Sequence, residues 1–141
     1  MATSQKTSAE LFAAQALAKQ AKQELTQNIL PYWTGRMQDP KGGFHGRING
    51  ADELDPQAPK GAIMNARLLW TFASAYRLLG EKSYLEMALR AKSEIIDRFY
   101  DPEFGGIYWS LNPDGTPLDT KKQIYAIAFA IYGLAELNRA T

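Results

Sequence analysis

The feature that most constrains this chain is an internal repeat. The stretch "QDPKGGFHGRING", from Gln38, and the stretch "YDPEFGGIYWSLNPDG", from Tyr100, share an order of residue types. Each has Asp-Pro, then Gly-Gly, an apolar residue, an aromatic, and a turn of Gly, Asn or Asp. Asp39 matches Asp101, Gly42–Gly43 match Gly105–Gly106, Phe44 matches Ile107 and Lys60 matches Lys122, about 62 residues apart. Further on, "ARLLWTFA" falls opposite "AFAIYGLA". A unit recurring at such a period cannot bury its apolar face alone and must stack on its neighbour.

Helical periodicity gives the unit its parts. From about Ser8 to Tyr32, Leu11, Phe12, Leu25 and Ile29 sit among Lys and Gln, which predicts a surface helix with one buried stripe. From about Glu81 to Phe99, Tyr84, Met87, Ala88, Ala91, Ile95 and Phe99 repeat at the same spacing. Lys60–Leu79 and Lys121–Ala140 are instead apolar nearly all round, the pattern of helices buried on all sides. The unit therefore reads as outer helix, Gly-Gly loop, inner helix: repeat 1 over about 8–80 and repeat 2 over about 81–141. Runs such as "GFHGRI" and "GIYWSL", with "NPDG" as a turn, predict short β-hairpins in the loops. The expected fold class is all-α, two helical hairpins of an α/α toroid. Both loops then gather on one face, at the N-terminal ends of the inner helices, where unpaired N–H groups favour a polar ligand.

Composition removes several chemistries. There is no cysteine, so disulfides, Fe–S clusters and thiol catalysis are excluded. A formal net charge of +1 leaves no nucleic-acid footprint. No apolar run approaches the length of a membrane span, and the first residues contain no uninterrupted apolar segment. A cytoplasmic protein without membrane or nucleic-acid partners is expected. No metal-ligand cluster, phosphate-cradling loop or Ser/His/Asp set can be assembled, so neither metal nor cofactor is expected.

Five residues stand out as candidates for a site. Burying Arg67 among Ile63, Met64, Leu68 and Trp70 would be costly without a partner. That partner is either a carboxylate in the preceding loop (Asp52, Glu53 or Asp55) or a ligand that fits a planar fork of donors. Tyr125 lies in the matching early turn of the second inner helix, near Lys122 and Gln123. Trp109 and Tyr108, with Phe44 and His45 at the corresponding loop positions, suit stacking on a sugar ring or simple packing of loop on barrel. His45, the only histidine, has an aromatic as its repeat counterpart, which favours packing.

With "KGAIMNARLLWTFASAYR", "GGFHGRING", "DPEFGGIYWSLNPDGTP" and "KKQIYAIAFAIYGLAEL" in that order, the chain resembles the N-acylglucosamine 2-epimerase family, especially its cellobiose 2-epimerase branch. The resemblance implies an (α/α)6 barrel and inversion at carbon 2 of a reducing sugar through an enediolate. It further implies that Arg67 contacts substrate near the reacting carbons and that Tyr125 lines the same pocket. Such enzymes take their acid/base histidines from later inner helices, and His45 is not one of them. The chain is accordingly expected to be an N-terminal segment with two of six helical pairs, inactive alone. Its uncovered inner helix, with Ile124, Ile127, Ile131 and Leu134, should drive self-association. A glycoside hydrolase on the same barrel would need a carboxylate pair, for which Asp52, Glu53, Asp55 and Asp114 offer no selective spacing. A non-catalytic carbohydrate-binding or assembly module is the third reading.

Overall fold

Thr7 opens the first helix through a capping box. Its hydroxyl accepts the Glu10 N–H while the Glu10 carboxylate accepts the Thr7 N–H, which satisfies two otherwise orphaned donors. The computed structural model describes residues 7–141, and the chain divides after Met37 into two compact units. In the first unit α1 (Ser8–Glu24) continues through a π turn, Leu25–Ile29, into α2 (Leu30–Gly35). The stripe expected on this helix is not buried: α1 contains no buried residue, and Leu11, Phe12 and Leu17 face solvent. An amphipathic pattern shows which face a helix can bury, and burial itself requires a second apolar surface.

The second unit starts with a tight turn. Asp39 N–H donates to Gly43 O (3.3 Å) and Gly42 N–H donates to Asp39 O (3.0 Å). The turn recurs at Asp101–Gly106, with Asp101 N–H on Gly106 O (3.0 Å) and Gly105 N–H on Asp101 O (2.9 Å). Gly43, Gly105 and Gly106 take φ of 59°, 69° and 74°, a region that side chains with a Cβ rarely adopt. Two hairpins follow these turns, as the sequence predicts. β1 (Arg47–Ile48) pairs with β2 (Leu54–Asp55), and β4 (Ser110–Leu111) pairs with β5 (Pro117–Asp119) across the Asn112–Thr116 turn. An element not anticipated joins them. β3 (Lys60–Gly61) pairs with β4, Lys60 against Leu111 and Gly61 against Ser110. The three-stranded sheet β3-β4-β5 thus ties both repeats' connections together on one face.

From that sheet α3 (Ala62–Leu79) leads away and is stopped by Gly80, whose φ of 77° lets its N–H cap Tyr76 O (2.8 Å). α4 (Lys82–Glu94) returns beside it and ends in a π turn at Ile95–Phe99. α5 (Ile124–Ala140) then packs on α3. Ala66, Leu69 and Phe72 of α3, Ala88 and Ala91 of α4, and Phe99 form the core. Phe44 joins them, fully buried and stacked on Phe72 (6.2 Å between ring centres). It is a packing residue. Among the described residues no helix is long and apolar enough to cross a membrane.

α3 and α5 run parallel and touch at matching repeat positions, Arg67 with Phe129, Trp70 with Tyr132 and Ser74 with Glu136. Gly133 permits this approach, since a Cβ there would stand 2.7 Å from Ala66 O and 3.1 Å from Leu69 Cδ2. Gly133→Val is expected to lower stability by about 1–3 kcal/mol through overpacking, read as a lower urea midpoint at unchanged slope. α5 departs from the expectation of burial on all sides. Ala126, Ala130, Gly133, Glu136 and Leu137 are buried, yet Ile124 is 84% and Ile131 64% exposed. An all-apolar helix is buried all round only where neighbours flank it on both sides, and here α3 covers one.

Candidate functional site

Arg67 is exposed rather than buried. Among the described residues it makes no ion pair and no hydrogen bond, and its guanidinium carbon lies 5.9 Å over the Phe129 ring. The loop carboxylates considered as partners are engaged elsewhere. Asp55 pairs with Arg47, and Glu53 accepts from Asn49 (2.8 Å). The Phe129 ring beside the cation belongs instead to a cluster of rings. Trp70 stacks on Tyr132 (5.2 Å), Tyr125 meets Phe129 edge-on (4.9 Å), and Phe129 meets Tyr132 likewise (6.4 Å). Tyr125 is 62% exposed, so its hydroxyl is available to a ligand. The helix–helix register creates this patch. One residue from each repeat, at the same position of parallel helices, arrives side by side.

The loop candidates flank the β4–β5 hairpin, Tyr108 and Trp109 just before β4 and Lys122 after β5. Lys122 Nζ donates to the Asp101 carboxylate and to Gly105 O (2.9 Å) and lies 4.8 Å above the Tyr108 ring. The bond from Lys122 holds the Asp101 carboxyl below its ordinary value, although burial pushes the other way. Lys122 thus fixes the loop on which Tyr108 stands. Lys121 lies 5.0 Å above Trp109, whose backbone is fixed by Ala62 N–H and Asp119 O. Both rings are half-buried. A cleft of about 380 Å³ opens between Asp101, Glu103, Phe104, Tyr108, Thr120 and Lys122.

Sequence reasoning overlooked the other lysine. Lys60 is 2% exposed and lies between the carboxylates of Asp39 (2.8 Å) and Glu94 (3.5 Å), bonded also to Gly42 O (2.8 Å). His45 is half-buried in the first loop, next to the buried Phe44. The signal for Lys60 was present in its match to Lys122, but only burial distinguishes the two. Asp114, one of the carboxylates weighed for hydrolysis, accepts from the Thr116 hydroxyl (2.7 Å). No group of three or more His, Asp or Glu could hold a metal among the described residues.

The second unit therefore brings both repeats' loops together on one face, with a ring cluster along the α3–α5 seam and a guanidinium there that has no ion pair among the described residues. It is a segment of an α/α barrel with one polar-aromatic surface. The chain belongs to the N-acylglucosamine 2-epimerase (GlcNAc 2-epimerase) family, whose profile matches residues 42–141. It is 65% identical over 126 residues to a cellobiose 2-epimerase of Bacteroides fragilis, covering 89% of this chain and 32% of that protein. A cellobiose 2-epimerase of Ruminococcus albus is 41% identical over 125 residues, with the same coverage. Among solved structures, cellobiose 2-epimerase from Spirochaeta thermophila superimposes with a TM-score of 0.87 at 39% identity, covering 96% of this chain and 33% of that one. The chain thus spans about a third of the length of these relatives, which are (α/α)6 barrels.

Proposed function

We propose that this chain is a segment of a carbohydrate 2-epimerase and builds part of the pocket for a reducing sugar such as cellobiose. One observation carries the reading: Arg67 is an exposed guanidinium with no carboxylate partner among the described residues, over Phe129 of the ring cluster that includes Tyr132 and Trp70. Charged donors of that kind stabilise an oxyanion as it develops, and the rings offer faces on which a pyranose can stack. In this reading the sugar ring opens and a base removes the proton at carbon 2. The resulting enediolate takes a proton on its other face. Arg67 donates to the carbonyl oxygen as it becomes an enediolate oxygen. Tyr125 bonds a sugar hydroxyl, and Tyr108 and Trp109 contribute stacking from the loop. Lys122 serves the sugar indirectly, by holding that loop to Asp101 and Gly105.

The proton-transfer groups are supplied by other parts of the longer enzyme, because the one histidine of this chain, in the first loop, does not serve both faces of an enediolate. Residues 1–141 alone are accordingly expected to incorporate no deuterium at carbon 2 of cellobiose, mannose or N-acetylglucosamine in heavy water. The decisive test is a chimera in which residues 7–141 replace the corresponding third of the Bacteroides fragilis enzyme. It should epimerise cellobiose. A folded, inactive chimera would refute the proposal, as would exchange by the isolated chain that His45→Ala abolishes.

We propose also that the isolated chain self-associates through α5. Ala62 and Leu69 of α3 are buried, whereas their repeat counterparts Ile124 and Ile131 are exposed. A contiguous apolar flank of a few hundred Å² is unusual for a monomer. Light scattering should give at least a dimer, and Ile131→Lys should dissociate it. A monomer at high micromolar concentration, unchanged by that substitution, would overturn this.

A further inference from the structure

Along the α3–α5 seam Arg67, Trp70, Ser74 and Arg77 of one helix meet Phe129, Tyr132 and Glu136 of the other. The spacings of three and four residues are those of a parallel helix seam. At the end nearer the loops the contacts are a cation over a ring and a stacked pair of rings. Seven residues beyond Arg67 and Phe129 the chemistry changes. Glu136 is 7% exposed. One of its carboxylate oxygens accepts from the buried Ser74 hydroxyl (2.9 Å) and from Arg77 Nε (2.8 Å), while Arg139 Nη1 lies 3.8 Å from the other. The bond from Arg77 holds the Glu136 carboxyl below its ordinary value, although burial opposes it. Apolar burial is not directional and tolerates a small slide of one helix along the other. A buried carboxylate with two directional bonds to the opposite helix does not, since a slide would strip it of those partners.

We propose that Glu136 is a positioning residue, which pins the register of α3 against α5 and so sets where the Arg67 guanidinium stands relative to the Phe129 ring. The pin lies about 10 Å along the helix axes from that pair, two turns farther from the loops. Ser74 is the repeat counterpart of Glu136, so α3 offers a donor where α5 offers the acceptor, and the two meet in this register. The consequence for catalysis rests on the reading of Arg67 as donor to the sugar oxygen, whereas the consequence for geometry stands without it.

Glu136→Met keeps the side-chain volume and removes the acceptor. Because an apolar replacement of a buried ion pair is often neutral for stability, the unfolding midpoint should hold. Glu136→Gln keeps an acceptor oxygen for Ser74 and Arg77. In the chain itself the Phe129 ring should displace the NMR signal of the Arg67 Nε–H, with Phe129→Leu giving the undisplaced value. Glu136→Met should lose at least half of that ring shift, and Glu136→Gln should keep it. Where Glu136→Met does not fold, Ser74→Ala, which removes one donor and no charge, takes its place. In the chimera Glu136→Met should lower kcat about tenfold with KM nearly unchanged, since a small misplacement of a catalytic group is costly. Glu136→Gln should restore kcat, and in an Arg67→Ala background Glu136→Met should change it less than about twofold, because the two residues act as one unit. A ring shift absent from the wild type or intact in Glu136→Met would overturn the proposal. So would an equal loss of kcat with and without Arg67. An inactive chimera would refute the proposed function instead, and the ring shift in the chain alone would still decide the role of Glu136.

Discussion

Lys60→Met is expected to destabilise the second unit by about 3–5 kcal/mol, the cost of leaving a buried ion pair without one partner. Lys60 is 2% exposed and its ammonium lies between two buried carboxylates, Asp39 and Glu94. Removing it leaves two like charges in a site with little exposure to water. Arg90 does not compensate, because its donors go to backbone carbonyls. Burial raises the Asp39 carboxyl, but the bonds from Lys60 and from the Lys41 N–H outweigh it and hold the group below its ordinary 3.8. A lowered folded-state pKa contributes stability above the unfolded value and loses it as pH falls through the folded one. The gap between wild type and Lys60→Met should therefore be widest at neutral pH and narrow below about 3.8. Denaturant unfolding at several pH values reads this. A loss below about 1 kcal/mol at pH 7, the range of an exposed pair, would mean the network is not dry.

Arg67→Ala in the chimera should lower kcat by about 10²–10³-fold, the usual cost of removing one oxyanion donor. Because the guanidinium acts on charge that develops during the reaction, KM should change far less than kcat. Arg67→Lys should recover little, since an ammonium lacks the planar fork. Arg67 is exposed and makes no ion pair or hydrogen bond among the described residues, so neither variant should shift the unfolding midpoint appreciably. That separates a chemical role from a structural one. A variant with kcat intact and KM raised would assign Arg67 to ground-state binding only.

Much of this architecture was legible before any coordinates. The match of Asp39 to Asp101 and of Lys60 to Lys122 located two equivalent turns, and the periodicity of "ARLLWTFA" and "AFAIYGLA" located two inner helices. These are local signals, set by glycines that must take positive φ and by apolar residues at helical spacing. The family also lay within reach, because the loop and inner-helix motifs occur together and in order.

The sequence by itself determined the repeat, its helices and turns, and the rings available to a site, since each depends on residues close together in the chain. Tertiary structure alone decided which residues those elements bury. Arg67 and Phe129, about 62 residues apart, meet because two parallel helices share a register, and Gly133 lets them approach. Lys60 and Lys122 occupy equivalent positions, yet only the first is buried, because α4 supplies Glu94 and Arg90 to its loop. Burial is a property of what lies across from a residue, and the residues across come from distant parts of the chain.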